Sequence, residues 1–571
     1  MIKNSKYLDT INKLQEVSFF INSEVVEYTL NNINVLIKSK IIPDFNYLLL
    51  TVEELFNMNV LDYPMKSKDK DLLVFKFHDY FPNYTKAYKF YMNLLLSICF
   101  IDFKKLYYPL NIDFRGRMYS QSDYLNPQGY DFEKGLLCFT KGYLLSDKNG
   151  LEEWIYAGIS LFENQFNTDL YLIDFESNFR NNISKIINNS LRNKSKNFFQ
   201  SLAFAFEVET FNYNEVVNND RSIYSNVILS LDCSQSSNQI SSALTCNYNV
   251  LKYTNIVNKT NMKLDLYQYV SSKLISILST SILKLNDREL LSEFNSNVKV
   301  IESRNFFKKV VMAAVNYGLT PYSFRKEIKS NNPNFSVKLI SLIVKETFNF
   351  LYDESGLFYR QFSFFKFLKE IIRRREYDIS FNLEYLNDSV NGKVNNKLKS
   401  LNKYNPIRIN LFNNLCLDIF YMEGVEVRFR PYIHGKRYNF TIRHHVNEDS
   451  KLITKTKEDN RKILQGFVAN FIHSLDAEIC IRCLEYFRDR NIPIRSNHDC
   501  FYISPKYHND LRNIFSQVFY DIFNEPKSLI MKLLNDNNIR LTEDELLYID
   551  NFFNSSRVNL KEIFESKWFL N

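Results

Sequence analysis

At 571 residues the chain can bury a large core, and its length suggests several packed subdomains rather than one compact domain. A net charge of +8 with 37 tyrosines and 50 phenylalanines suits a polyanionic partner, although charge alone fits a slightly basic enzyme without nucleic acid equally well. Eight cysteines without a repeating spacing exclude a disulfide scaffold, and no apolar run reaches the roughly 20 residues of a membrane-spanning helix, so no membrane partner is expected.

The first 17 residues carry Asp9 and Glu16 and no apolar core, which fits neither a secretory signal nor a transit peptide. Richness in Asn, Lys, Ile, Phe and Tyr with only 12 glycines is the imprint of an AT-rich gene, pointing to synthesis inside an organelle or from a plasmid. No period of 20 to 50 residues repeats, which excludes a solenoid or propeller. Residues 5–105 read mainly as helices, interrupted near Pro43, Pro64 and Pro82, with Leu94, Leu95, Ile98 and Ile101 at helical spacing. A loop-rich stretch, 107–142, follows, and 150–215 reads as mostly helical, ending in the apolar run 202–206. The short aliphatic run 226–231 predicts a buried strand closed by Asp232.

Helices dominate 240–375, and the Lys/Asn-rich span 384–404 reads as an exposed insertion. Residues 422–446 alternate as a hairpin: Val425, Val427 and Phe429 on one side, a turn at His434-Gly435-Lys436, then Tyr438, Phe440 and Ile442, with Arg428, Arg430, Lys436, Arg437 and Arg443 on its faces. A helix is expected over 459–487, where Cys480 and Cys483 read as two buried thiols. A second hairpin, 493–504, should carry His498-Asp499 near its bend, with helices from 507 onward.

Two acidic positions end or turn a strand in an apolar setting: Asp232 in LSLDCSQSSNQ and Asp499 in RSNHDCFYIS. On adjacent strands, two such hard oxygen ligands would hold a pair of magnesium ions about 4 Å apart, the spacing of an in-line phosphoryl displacement. Seen singly, each reads as a turn or capping aspartate. In RNFFKKVVMAAVNYG (304–318), a helix would let Arg304, Lys308 and Lys309 meet a triphosphate, with Tyr317-Gly318 two turns on at the sugar or base; alone it is a basic amphipathic helix.

In this order the three elements resemble motifs A, B and C of single-subunit, phage- and mitochondrial-type DNA-dependent RNA polymerases, and the resemblance spans nearly the whole chain. NIDFRGRMYSQSDYLNPQGYDFEKGLLCF (111–139) resembles the family's Asp-x-x-Gly-Arg element with its Asn-Pro-Gln-Gly and Lys-Gly-Leu-Leu. VANFIHSLDA (468–477) resembles the helix before motif C, and LQEVSFFIN (14–22) the block that opens the thumb. The resemblance implies an α+β, mainly helical, cupped right hand with a small mixed palm sheet. Thumb and a remnant of the N-terminal region would occupy 1–105, palm 106–240 and 481–571, and fingers 241–480. It also implies DNA-templated synthesis of RNA from ribonucleoside triphosphates, with release of pyrophosphate. Asp232 and Asp499 would hold two Mg2+ ions, Tyr317 would lie by the ribose and Lys309 on the phosphates, with Arg304 and Lys308 nearby. Arg115 and Arg117 would grip the template or hybrid backbone, with His473 near the hybrid and His498 beside Asp499.

Departures from the pattern carry expectations of their own. Cys233 and Ser237 stand where the family has glycines, and Ile240 where it has His. Counting back from Tyr317 selects Lys309 as the phosphate lysine, while counting forward from Arg304 by fours selects Lys308 and Met312; a helical bulge would reconcile them, and the fixed Lys-to-Tyr spacing favours Lys309. The chain opens where the family's thumb begins, so a promoter-gripping domain is expected to be missing. Either an initiation factor, a past truncation or promoter-independent initiation would follow, with the 422–446 hairpin at the place of the specificity loop. Composition and family together suggest a mitochondrial location and a mitochondrial linear plasmid as the source. Two rivals remain: a related DNA polymerase, disfavoured because Ser237 is small where those enzymes carry glutamate, and an inactive nucleic-acid-binding remnant.

Overall fold

The computed structural model describes residues 5–49, 67–113, 115–145, 198–209, 223–260, 262–313, 318–375, 460–566 and 568–570, with isolated residues between 154 and 197 and the strands between 407 and 444. The N-terminal part opens with the helix Ser5–Gln15, a strand Phe19–Ile21 and the helices Ser23–Asn31 and Ile33–Lys38. The strand pairs antiparallel with Leu137–Phe139, Phe19 facing Phe139, and it interrupts a stretch that is otherwise mainly helical, as expected. Phe19, Phe139, Trp154, Phe198 and Phe204 are fully buried and centre one apolar core.

A long helix, Ser67–Phe100, runs through Pro82 where an interruption was expected. Its second half buries Ala87, Phe90 and Leu94, and tertiary packing of this kind outweighs the backbone hydrogen bond that proline removes. Pro64 lies outside the described residues.

Three strands form the sheet that positions the site, in the order Ile494–Asn497, Cys500–Ile503, Leu229–Asp232. Both pairings are antiparallel, which corrects the expectation of a mixed sheet. The two outer strands flank a β-hairpin strand rather than being linked by a crossover, so no parallel pair arises. Apolar Leu231, Ile494, Phe501 and Ile503 are buried and fix the register, because a one-residue slip would turn them outward. Asn497 faces Cys500, leaving His498 and Asp499 as a two-residue turn, and His498 takes the left-handed conformation (φ 58°) that closes it.

Behind the sheet runs the helix Asn460–Arg488, one residue from the expected bounds at each end. It is buried on nearly every side, taking polar residues such as Asn470, His473, Asp476 and Glu478 inside with its apolar ones, and it packs against Ser236–Leu244, His508–Phe523 and Ser5–Gln15. Cys480 and Cys483 are free, buried thiols, as read from the sequence. Residues 266–372 supply the helices Leu266–Leu285, Arg288–Ile301, Pro321–Asn331, Val337–Tyr352 and Tyr359–Ile372. In the basic segment the described helix, Lys308–Ala313, begins at Lys308, so Arg304 sits in the turn before it rather than on it. There Phe306 N–H donates to Ser303 O at 3.0 Å and Phe307 is fully buried, which turns the chain ahead of the helix.

The expected hairpin appears as Val425–Phe429 paired with Phe440–His444, Val427 facing Ile442, and Tyr432–Ile433 paired with Lys436–Arg437. The 384–404 span lies outside the described residues. Among the described residues no helix is long and apolar enough to cross a membrane.

Glu207, on the helix Phe198–Glu209, anchors the approach to the strand Leu229–Asp232. Its carboxylate accepts from Trp154 Nε1 (3.0 Å), Ser225 Oγ (2.6 Å), and the backbone N–H groups of Asn226 (2.8 Å) and Val227 (3.3 Å). Glu207→Ala should destabilise the protein by about 2–3 kcal/mol by orphaning these donors. Thermal unfolding should show a clearly lowered Tm, and an unchanged Tm would refute the anchoring role.

Candidate active site

The sheet register sets the site. Asp232 ends its strand opposite Cys500, so Asp499, one residue earlier in the turn, comes alongside it. Asp232 stays open to solvent, but the protein packed around it and then the negative charge of Asp499 push its carboxyl up to about 6, against the pull of Lys134, the Cys233 N–H and Lys263. A carboxylate raised by burial and by a second carboxylate beside it is a site suited to a cation.

A third carboxylate, Asp476, escaped the sequence reading. It lies 5% exposed beneath the turn, lining a small cavity with Cys233, Ser236 and Asp499. Burial and then the charge of Asp499 push it up to about 7, opposed by Arg117, whose Nη2 donates to its Oδ2 at 2.6 Å. The signal available in the sequence was its place three residues after His473 in a helix, which puts both polar groups on one face. Among the described residues no cluster of three or more His, Cys, Asp or Glu forms a ready-made metal cage.

The Asp-x-x-Gly-Arg element is a turn whose spacing has a local cause. Asp113 Oδ1 accepts from the N–H groups of Arg115 (2.9 Å) and Arg117 (3.0 Å), Gly116 supplies φ 85°, and Asp113 N–H donates to Arg117 O at 2.9 Å. Arg115 Nε donates to Asp113 Oδ2 at 2.7 Å, and its Nη1 lies 3.3 Å from Nδ1 of His473. Burial, then Arg117 and Arg115, push His473 down to about 3, so the imidazole is neutral. A guanidinium can only donate, so Nδ1 accepts and Nε2 carries the proton. His498 is likewise pushed down to about 4 by burial and then Arg117, and its ring meets Tyr119 edge-on at 5.0 Å. Both expected nucleic-acid arginines are thus engaged with protein carboxylates, one at Asp113 and one at Asp476.

Downstream, Gln128 of the Asn-Pro-Gln-Gly block clamps two strands. Its Oε1 accepts from Ser120 N–H (2.8 Å), and its Nε2 donates to Met118 O (3.1 Å) and Ser496 O (2.7 Å), on the strand that leads to Asp499. In Lys-Gly-Leu-Leu, a Cβ on Gly135 would come within 2.6 Å of the Phe199 backbone, so only glycine fits. Lys134, also missed, lies over the Tyr502 ring at 4.9 Å and faces the charge of Asp232.

On the other side of the site Arg304 pairs with Asp265, its guanidinium 4.9 Å over the Tyr267 ring, and Lys308 Nζ lies 5.9 Å from the same ring. Lys309 instead meets Glu327 at 3.2 Å with its side chain 66% exposed. Of the two lysines, it is therefore Lys308 that shares the Arg304 cluster. Lys263, unremarked in the sequence, connects the two halves, its charge reaching Arg304, Asp265 and Asp232. Ser237 lies half-buried in the first turn of Ser236–Leu244, close to Asp232 in sequence. Tyr317 lies outside the described residues.

The model of the DNA-dependent RNA polymerase family matches residues 171–565. A protein of Podospora anserina named probable DNA-directed RNA polymerase is 25% identical over 562 residues, covering 95% of this chain and 54% of the relative. One of the same name from Neurospora crassa is 23% identical over 520 residues, 88% of this chain and 52% of the relative. The mitochondrial DNA-directed RNA polymerase of Neurospora crassa is 24% identical over 477 residues, 75% and 32% respectively. The chain spans about half the length, or less, of the curated relatives it matches.

Arg117→Met would leave the Asp476 carboxylate buried and unpaired, destabilising the protein by about 3–5 kcal/mol once Asp476 is ionised. Because the folded-state value of Asp476 is raised, the penalty is absent at low pH and grows as pH climbs toward and past about 7. The Tm gap between wild type and variant should therefore widen from pH 6 to pH 8; a gap that is constant or shrinks would contradict the pairing.

Proposed function

Because the chain belongs to the DNA-dependent RNA polymerase family, we propose that it joins ribonucleotides on a DNA template and releases pyrophosphate, using two magnesium ions held by Asp232 and Asp499. The observation that carries this reading is the antiparallel register that sets Asp499 alongside Asp232. The donor set suits magnesium, a hard cation that commonly rests on one or two carboxylates and completes its shell with substrate phosphates and water. Bound there, magnesium would lower the pKa of the RNA 3′-hydroxyl and neutralise the charge of the triphosphate and leaving pyrophosphate.

The chain's own side chains supply position and charge. Arg304 and Lys308 meet the triphosphate, and Lys309 joins them when it leaves its exposed, weak pair with Glu327. Ser237 leaves room for the ribose 2′-hydroxyl, with Tyr317 beside the sugar. Lys134 and Lys263 hold positive charge against Asp232 while the pair is formed. Neutral His473, fixed by Arg115, offers its Nε2–H toward the hybrid, and His498 flanks Asp499. In this reading residues 1–105 are the thumb with a remnant of the N-terminal region, 106–240 and 481–571 the palm, and 241–480 the fingers, and the enzyme works in mitochondria, as the Neurospora crassa mitochondrial relative suggests.

The test is extension of an RNA primer annealed to template DNA with ribonucleotides and magnesium. Wild type should extend and stop on chelation, whereas Asp232→Asn and Asp499→Asn should each lose about a thousandfold or more in rate with scaffold binding nearly intact. Rates near wild type in either variant would overturn the assignment. Ser237→Glu should lower kcat/KM for ribonucleotides relative to deoxyribonucleotides by about tenfold or more; an unchanged ratio in competition would remove Ser237 from the sugar.

A further inference from the structure

Arg495 has no role in the scheme above, yet it is among the least ordinary residues of the molecule. It sits on the strand Ile494–Asn497, 3% exposed, and among the described residues no carboxylate pairs with it. Its Nη2 donates to Tyr108 O at 3.3 Å and its guanidinium carbon lies 5.8 Å from the Phe19 ring, but its Nε and Nη1 have no hydrogen-bond partner. Burial lowers its pKa to about 10, so the charge persists at neutral pH. Glu133, whose charge reaches neighbouring Tyr108, is committed to Lys89 and to the N–H groups of Asn126 and Tyr130.

Arg495 lines a small cavity with Ser120, Leu14, Leu110, Met118 and Gln128. The Ser120 hydroxyl is also buried without a partner, whereas the Gln128 amide is saturated. The cavity therefore combines two free guanidinium donors and one free hydroxyl with apolar walls. It has room for one small occupant, a water or a single-atom ion, and too little for a phosphate or carboxylate. A water would satisfy donors and leave the charge uncompensated, and an isolated buried cation is strongly unfavourable.

We propose that this cavity is a halide site, in which a chloride ion is held by Arg495 Nε and Nη1 and by the Ser120 hydroxyl. The ion joins the end of the helix Ser5–Gln15, the strand Met118–Ser120 and the strand that leads into the Asp499 turn. Halide occupancy thereby stabilises the support of that turn without touching substrate.

Two measurements decide it, neither of which depends on polymerase activity. Replacing potassium glutamate by potassium chloride at constant ionic strength should raise the wild-type Tm saturably, by about 1–2 °C beyond the trend in Arg495→Met. The variant is expected to fold, because an uncharged side chain of similar length removes a buried unpaired charge. Parallel curves for the two proteins would overturn the proposal. Bromide-soaked crystals of wild type, which require no variant, should give an anomalous peak within hydrogen-bond reach of Arg495 and Ser120; a water at that position would overturn it equally.

Discussion

The structure depends above all on one strand register. Pairing Cys500 with Asp232 sets two carboxylates side by side at the end of a buried sheet, where neither sequence neighbourhood alone would place them. Like charges in that position oppose folding unless something compensates, and the surrounding residues divide that task. The charges of Lys134 and Lys263 both reach Asp232, and Arg117 takes up the third carboxylate, Asp476, beneath the turn. A divalent cation completes the compensation in the proposed working state, which explains why so acidic a point lies in a chain of net positive charge.

The motifs around the pair act mainly by holding it. Asp113 and Gly116 shape a turn whose two arginines reach the helix Asn460–Arg488 at His473 and Asp476, and Gln128 stitches the next loop to the strand that leads into the Asp499 turn. Backbone carbonyls and carboxylates, rather than solvent, receive most of these donors.

Much of this was legible in the sequence where one period or one turn dominated. The 493–504 hairpin, the strand ending at Asp232 and the 459–487 helix all follow from local alternation and turn chemistry, and the structure has them within a residue or a few. Long-range pairing was not legible. Phe19–Ile21 becomes a strand because Leu137–Phe139 lies beside it, and Ser67–Phe100 passes Pro82 because its apolar face is buried. The same limit hid Asp476, Lys134 and Lys263, whose importance lies in what the fold brings near them. Arg304 was misjudged as helical because its anchor, Asp265, is 39 residues away.

Manganese binding, followed by electron paramagnetic resonance as a stand-in for magnesium, tests the central claim most directly. If Asp232 and Asp499 form one cation site, wild type binds the ion, and Asp232→Asn and Asp499→Asn each weaken binding, the double variant losing little more than either alone. Wild-type affinity in either single variant would show that the two carboxylates do not share an ion.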